Sequence, residues 1–250
     1  MSAANQEIKR ISRDRLNGNY RLVMGAFLFA YVVTAFIELP FSNILSANPN
    51  AISNKIISVS VEFLVILLGI VLLAGQFSLH LKIARGETKK LTTRHIFTFF
   101  RNQPDRFLLA GLFLLFMYGI SLAPALVAVF LFPSEPLATY IGAILAGCSV
   151  SLFLLFWVQL HYSLVLFLLV DQADLSVMAA ISNSCILMKG HKWALFRHLI
   201  CFAGYDLLCI LSFGLGCIWA IPYQMQVLCN FYLDVTGQLP DAPYINCTIS

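Results

Sequence analysis

Four ionisable residues stand out in the long apolar runs of this chain: Glu38, Glu62, His161 and Asp206. Such groups are costly in hydrocarbon, so they face a protein interior or water and often mark ion paths and proton relays. Glu38 lies at the edge of its run, next to Pro40, and is expected to reach water. Glu62, His161 and Asp206 lie deeper and form the candidate intramembrane polar site. His161 and Asp206 fall at similar depths when counted at about 1.5 Å per residue from the ends of their runs. If their helices are neighbours, Asp206 can accept a hydrogen bond from His161. Such a pair is either a satisfied structural contact, the favoured reading, or a proton relay.

A second group is basic and aromatic: Met188-Lys189-Gly190-His191-Lys192-Trp193. Lys189 and Lys192 suit lipid phosphates and Trp193 suits the headgroup layer. Gly190 permits a sharp change of direction. The expected role is an interfacial anchor, with a lipid-headgroup or partner-docking site as the more specific alternative. The other reactive types are scattered. His95, His191 and His198 make no catalytic constellation. The seven Cys residues have no metal-ligand spacing, and inside apolar segments they act as small hydrophobes. No catalytic residue, cofactor or metal is expected.

The elements that must position these groups follow from composition. Of 250 residues, 60% are hydrophobic and 11% charged, with a mean hydropathy of +0.83. A soluble domain carries about 25% charged residues, so lipid is the expected solvent. A net charge of +4, placed in short loops, excludes a nucleic-acid-binding face. The N-terminal segment 1–19 has no apolar core and is not a cleaved signal.

The chain reads as one all-α, polytopic membrane domain. A span needs about 20 apolar residues, and five runs qualify: 20–39, 56–81, 107–132, 140–170 and 193–213. A sixth, 217–233, holds Pro222, Gln224, Gln226 and Asn230 and follows the turn Gly214-Leu215-Gly216. It is either a short returning span, the preferred reading, or an amphipathic helix on the outer surface anchored by Trp219, Tyr223 and Tyr232. The tail 234–250 has no Lys or Arg to place it. Fifteen basic residues cluster before the first span, between the second and third, and between the fourth and fifth. Lys55 alone falls on the other side. The positive-inside rule then sets the N-terminus in the cytoplasm.

Each of the two basic linkers carries a short apolar stripe. One has Ile96, Phe97, Phe99 and Phe100 after Thr92 and Thr93. The other has Leu175, Met178, Ile181, Cys185 and Met188. Both are expected as helices at the cytoplasmic interface. The result is three hairpins joined by two surface helices. Small residues, Gly69, Ala74 and Gly75 in the second span and Gly142, Ala146 and Gly147 in the fourth, point to close helix packing.

The stretch Leu187 to Trp193, then Phe196, Phe202-Ala203-Gly204-Tyr205, Gly214-Leu215-Gly216, Trp219, Pro222-Tyr223 and Phe231-Tyr232, resembles the bacterial membrane-protein family "domain of unknown function 975". Ile8-Lys9, Leu16-Asn17-Gly18-Asn19-Tyr20 and Ala84-Arg85-Gly86-Glu87 are similar to the family's earlier parts. The chain lacks that family's turn into the fourth span, and Tyr205 stands where a Trp is usual. The resemblance implies a bacterial, multi-pass plasma-membrane protein and no established activity.

Three functions are weighed. A non-enzymatic scaffold or accessory component of the envelope fits best. A small transporter using Glu62, His161 and Asp206 is the alternative. A lipid-acting enzyme would need a nucleophile or metal cluster at the interface. Expected partners are membrane lipids and a membrane protein or a second copy of the chain, with no nucleic acid.

Overall fold

The structure, a computed structural model, describes residues 3–47, 52–87, 91–131 and 136–239. The expected tail from 240, Lys89 and Lys90, and parts of both outer loops lie outside the described residues.

Among the described residues the fold is all helix. The long apolar helices are α2 (Tyr20–Ala47), α3 (Ile52–Ala84), α5 (Pro104–Leu131), α6 (Leu137–Tyr162) with α7 (Val165–Asp171), and α9 (Lys192–Leu211). These five units are long and apolar enough to cross a bilayer. α2 runs through Pro40 rather than stopping before it. The fourth run is broken: Ser163 and Leu164 part α6 from α7. The second linker becomes α8 (Val177–Leu187), capped by the Ser176 side chain on the Ala179 N–H. The last helix, α10 (Cys217–Val235), is the sixth segment.

Two elements differ from the sequence reading in detail. The N-terminal segment forms α1 (Ala3–Leu16), an amphipathic helix that buries Ile8, Ile11, Ser12 and Leu16 against α10, α3 and α9. That i, i+4 face is short, which is why it escaped notice in a polar segment. The first linker forms a 3-10 turn, Thr93–Phe97, followed by α4 (Thr98–Arg101). Its Ile96 backbone presses on Gly75 of α3. In α8 the buried face is Ala180, Ser184 and the following Met188, while Met178 of the expected stripe points outward and is 77% exposed.

α2 with α3, α5 with α6, and α9 with α10 pack as hairpins. The core sits at one end. Every buried residue of α3 lies between Val71 and Ala84, and none precedes Val71. Val23, Ala26 and Ala30 at the start of α2 join that end, as do α7 and most of α10. It is the end that carries Lys9, Arg85 and Lys192, and is called the basic end below. At the opposite end Phe36, Ile52, Phe130 and Leu137 are exposed.

α10 runs back from Gly216 to the basic end inside the bundle. Tyr223 and Tyr232 are buried and are not surface anchors, whereas Trp219 is exposed. Its polarity hides it from a hydropathy reading. Gln226 and Asn230, four residues apart, face protein instead of lipid and are fully buried.

Candidate functional site

The polar groups of the interior join helices in pairs. His80 Nδ1 of α3 lies 2.9 Å from Gln226 Oε1 of α10. Asn230 Nδ2 of α10 donates to Ser12 Oγ of α1 at 2.7 Å. At the basic end Arg85 Nη2 lies 2.6 Å from Asp171 Oδ1, and the Tyr232 hydroxyl donates to Asp171 Oδ2 at 2.9 Å. Arg85 also donates to Gln238 Oε1 at 2.6 Å. One guanidinium therefore holds the ends of α3, α7 and α10 together. Buried polar groups in low dielectric are costly unless satisfied, so these pairings fix which helices are neighbours. The sequence reading missed all of them. The usable signal was the Gln226–Asn230 spacing on one face of a helix.

The residues of the expected intramembrane site are not brought together. Glu62 is exposed on α3, its carboxylate 3.4 Å from Ser58 Oγ one turn away. Asp206 is exposed on α9 and accepts from Gln224 Nε2 of α10 at 2.8 Å. His161 meets Lys192 instead, Nε2 to Nζ at 2.5 Å. The expected His161–Asp206 bond is thus replaced on both sides. Lys192 is level with His161, and Asp206 stands fourteen residues further along α9, about 21 Å at the helical rise. The depth match assumed one straight fourth helix. The break after Tyr162 turns α7 aside, so the residues after His161 do not measure its depth.

The break has its own chemistry. The His161 carbonyl accepts from Ser184 Oγ of α8 at 2.8 Å. His161 Nδ1 lies 2.7 Å from the Trp157 carbonyl, and the two ring centroids lie 4.2 Å apart with the planes tilted by 38°. With Nδ1–H donating to that carbonyl, Nε2 is left with a lone pair, which accepts from the Lys192 ammonium. This arrangement needs a neutral imidazole. Nearby, the Tyr118 hydroxyl donates to Gln159 Oε1 at 2.5 Å.

The basic-aromatic motif is divided in consequence. Lys192 turns inward to His161, while Lys189 and Trp193 are exposed. Gly190 adopts φ +87°, as the expected change of direction requires. Among the described residues, no three His, Cys, Asp or Glu side chains group closely enough to hold a metal ion.

On α1, Arg10 donates to both Glu7 oxygens, at 3.1 and 2.5 Å, which holds that carboxyl below its ordinary range. Arg10 is thereby neutralised locally, and Lys9 and Arg13 supply the net charge of this surface.

The family model described as "Protein of unknown function (DUF975)" matches residues 1–238. The chain belongs to the DUF975 family. No curated protein and no solved structure matches it. The match takes in α1, every apolar helix and α10, so the helix pairings of this DUF975 chain all lie within the family's extent.

Proposed function

We propose that this chain is a non-enzymatic scaffold or accessory component of a bacterial cell envelope, resident in the plasma membrane. One observation carries the reading: the half of the helical domain away from the basic end is apolar and sparsely covered. No residue of α3 from Ile52 to Ile70 is buried, and no more than 22% of the most apolar window of any of the five spans is buried within the molecule. The interior polar groups tie helix to helix, which suits a rigid platform. The uncovered faces suit a membrane-protein partner or a second copy of the chain, packed within the bilayer.

The test is purification from native membranes, with a photo-crosslinker at Ile56 or Phe130. A single stoichiometric adduct, either a partner or a second copy, supports the reading. A monomer that carries only lipid removes it. A second reading, a small transporter, draws on the broken fourth helix, since broken helices form ion and substrate sites in transporters. It would now rest on His161 and Lys192 rather than on Glu62 and Asp206. Solute uptake by proteoliposomes that His161→Phe abolishes would move the assignment there.

Orientation follows from the same frame. With α10 as a sixth crossing, α1 and the end of α10 share the basic end, which the fifteen-to-one charge asymmetry assigns to the cytoplasm. Protease-cleavable tags at the two termini are expected to be cut from the same, cytoplasmic side. Cleavage of the two tags from opposite sides would exclude six crossings.

A further inference from the structure

Between α1, the start of α2, α9 and α10 lies a cleft of about 610 Å³, within the range of ligand sites. Its body is almost wholly apolar, walled by Tyr20, Tyr205, Cys209, Ala220 and Tyr223. It opens sideways past Leu208 and Trp219, which are 60% and 59% exposed. On α10 the walls run from Gly216 to Tyr223, seven residue steps or about 10 Å. That is two-thirds of one leaflet of a hydrocarbon core about 30 Å thick.

One end of the cleft is different. Arg13 and Tyr205 are shared with an adjoining polar recess lined also by Gln6, Lys9, Arg10 and Asp14. Glu7 neutralises Arg10, and Lys9 and Arg13 outnumber Asp14. Among the described residues, neither Lys9 nor Arg13 has a carboxylate at ion-pair distance, and the Arg13 guanidinium faces the Tyr223 hydroxyl. The site therefore couples a cationic rim on α1, beside Tyr205, to an apolar slot between α9 and α10 that opens toward the membrane. A soluble anion would use the rim and leave the slot empty. A neutral lipid would fill the slot and leave the cations unmatched.

We infer that the cleft binds one anionic phospholipid, with its phosphate at Lys9 and Arg13 and an acyl chain between α9 and α10. The lipid enters from the bilayer past Leu208 and Trp219. Basic residues near an anionic headgroup contribute about 1 kcal/mol each, so loss of both corresponds to roughly a thirtyfold weaker affinity.

The experiment uses the full chain, reconstituted in equimolar phosphatidylglycerol and phosphatidylcholine and then examined by native mass spectrometry. One phosphatidylglycerol per chain is expected to be retained preferentially. Lys9→Gln with Arg13→Gln should remove the preference, by roughly thirtyfold. Ala220→Phe, which fills the slot, should reduce retention with the rim intact. Arg94→Gln with Arg101→Gln, at exposed positions of the first linker, should change nothing. A phosphatidylglycerol carrying a diazirine in its acyl chain should label α9 near Leu208 or α10 near Trp219, and this readout needs no variant. Equal retention of the two lipids, equal loss in the Arg94/Arg101 control, or labelling spread over all helices would each overturn the assignment.

Discussion

Gly75→Ala is expected to destabilise the protein by about 2 kcal/mol or more, although the substitution improves helix propensity. A Cβ at Gly75 would overlap the Ile96 carbonyl oxygen and lie 2.6 and 2.7 Å from the Ile96 carbonyl carbon and Cα. All three are backbone atoms, so no side-chain rotation relieves the contact. The 3-10 turn Thr93–Phe97 must retreat as a body. Retreat exposes Ile96, now fully buried in the cluster that holds Leu72, Leu79 and Ile83, at about 1.5–3 kcal/mol for a side chain of that size. Overpacking adds about 1–3 kcal/mol. Against this stands a gain of at most about 1 kcal/mol from replacing glycine in a helix. Gly69→Ala is the matched control: nothing lies within 4 Å of its Cβ position, so only the propensity gain remains. Unfolding titrations in mixed micelles separate the two. Trypsin should also cut faster after Arg94 and Arg101 in Gly75→Ala. If Gly75→Ala proves as stable as Gly69→Ala, the close approach of this turn to α3 is wrong.

That contrast shows what the sequence could and could not reveal. The small residues of the second and fourth runs signalled close packing, yet not with what. Gly75 meets a linker backbone, and Gly147 meets the Pro124 carbonyl and Ala128 of α5. Gly69 and Gly142 meet nothing. Hydropathy runs located the start of each apolar helix to within four residues, because lipid imposes length and apolarity on each one separately, but they ended α2 eight residues short and missed the break between α6 and α7. Partnerships between helices leave no such trace. His80 meets Gln226 across 146 positions, and Ser12 meets Asn230 across 218. Each is an ordinary polar residue until the fold sets it opposite the other. The expected His161–Asp206 pair failed for the same reason: one break, at Ser163 and Leu164, shifted the register on which it depended. Apolarity was thus a poor guide to α10. A helix enclosed by protein can be more polar than one facing lipid, since its neighbours satisfy its side chains.

The lock at the basic end gives the other large effect. Arg85→Leu is expected to cost more than Asp171→Leu, and the double variant less than Arg85→Leu alone. The Asp171 side chain is 7% exposed and that of Arg85 31% exposed. Removing the cation leaves a carboxylate with little water and, among the described residues, only the Tyr232 hydroxyl as a donor. An uncompensated buried charge of this kind costs about 3–5 kcal/mol. Removing the carboxylate leaves a guanidinium that can turn toward solvent and keep Gln238. That loss belongs at or below the lower end of the same range. With both gone, no buried charge remains, and leucines in their place fill part of the volume. A double-mutant cycle in mixed micelles measures the difference, with a coupling that exceeds the Asp171→Leu loss and reaches up to about 3 kcal/mol for groups in direct contact. The consequence reaches beyond stability. Arg85 ties the ends of α3, α7 and α10 together, and α10 forms one wall of the lipid cleft. Arg85→Leu should therefore also weaken retention of phosphatidylglycerol, though it lies outside both the slot and its rim. Additive single-variant losses would show that the pair does not act as a lock, and the coupling from Arg85 to the cleft would go with it.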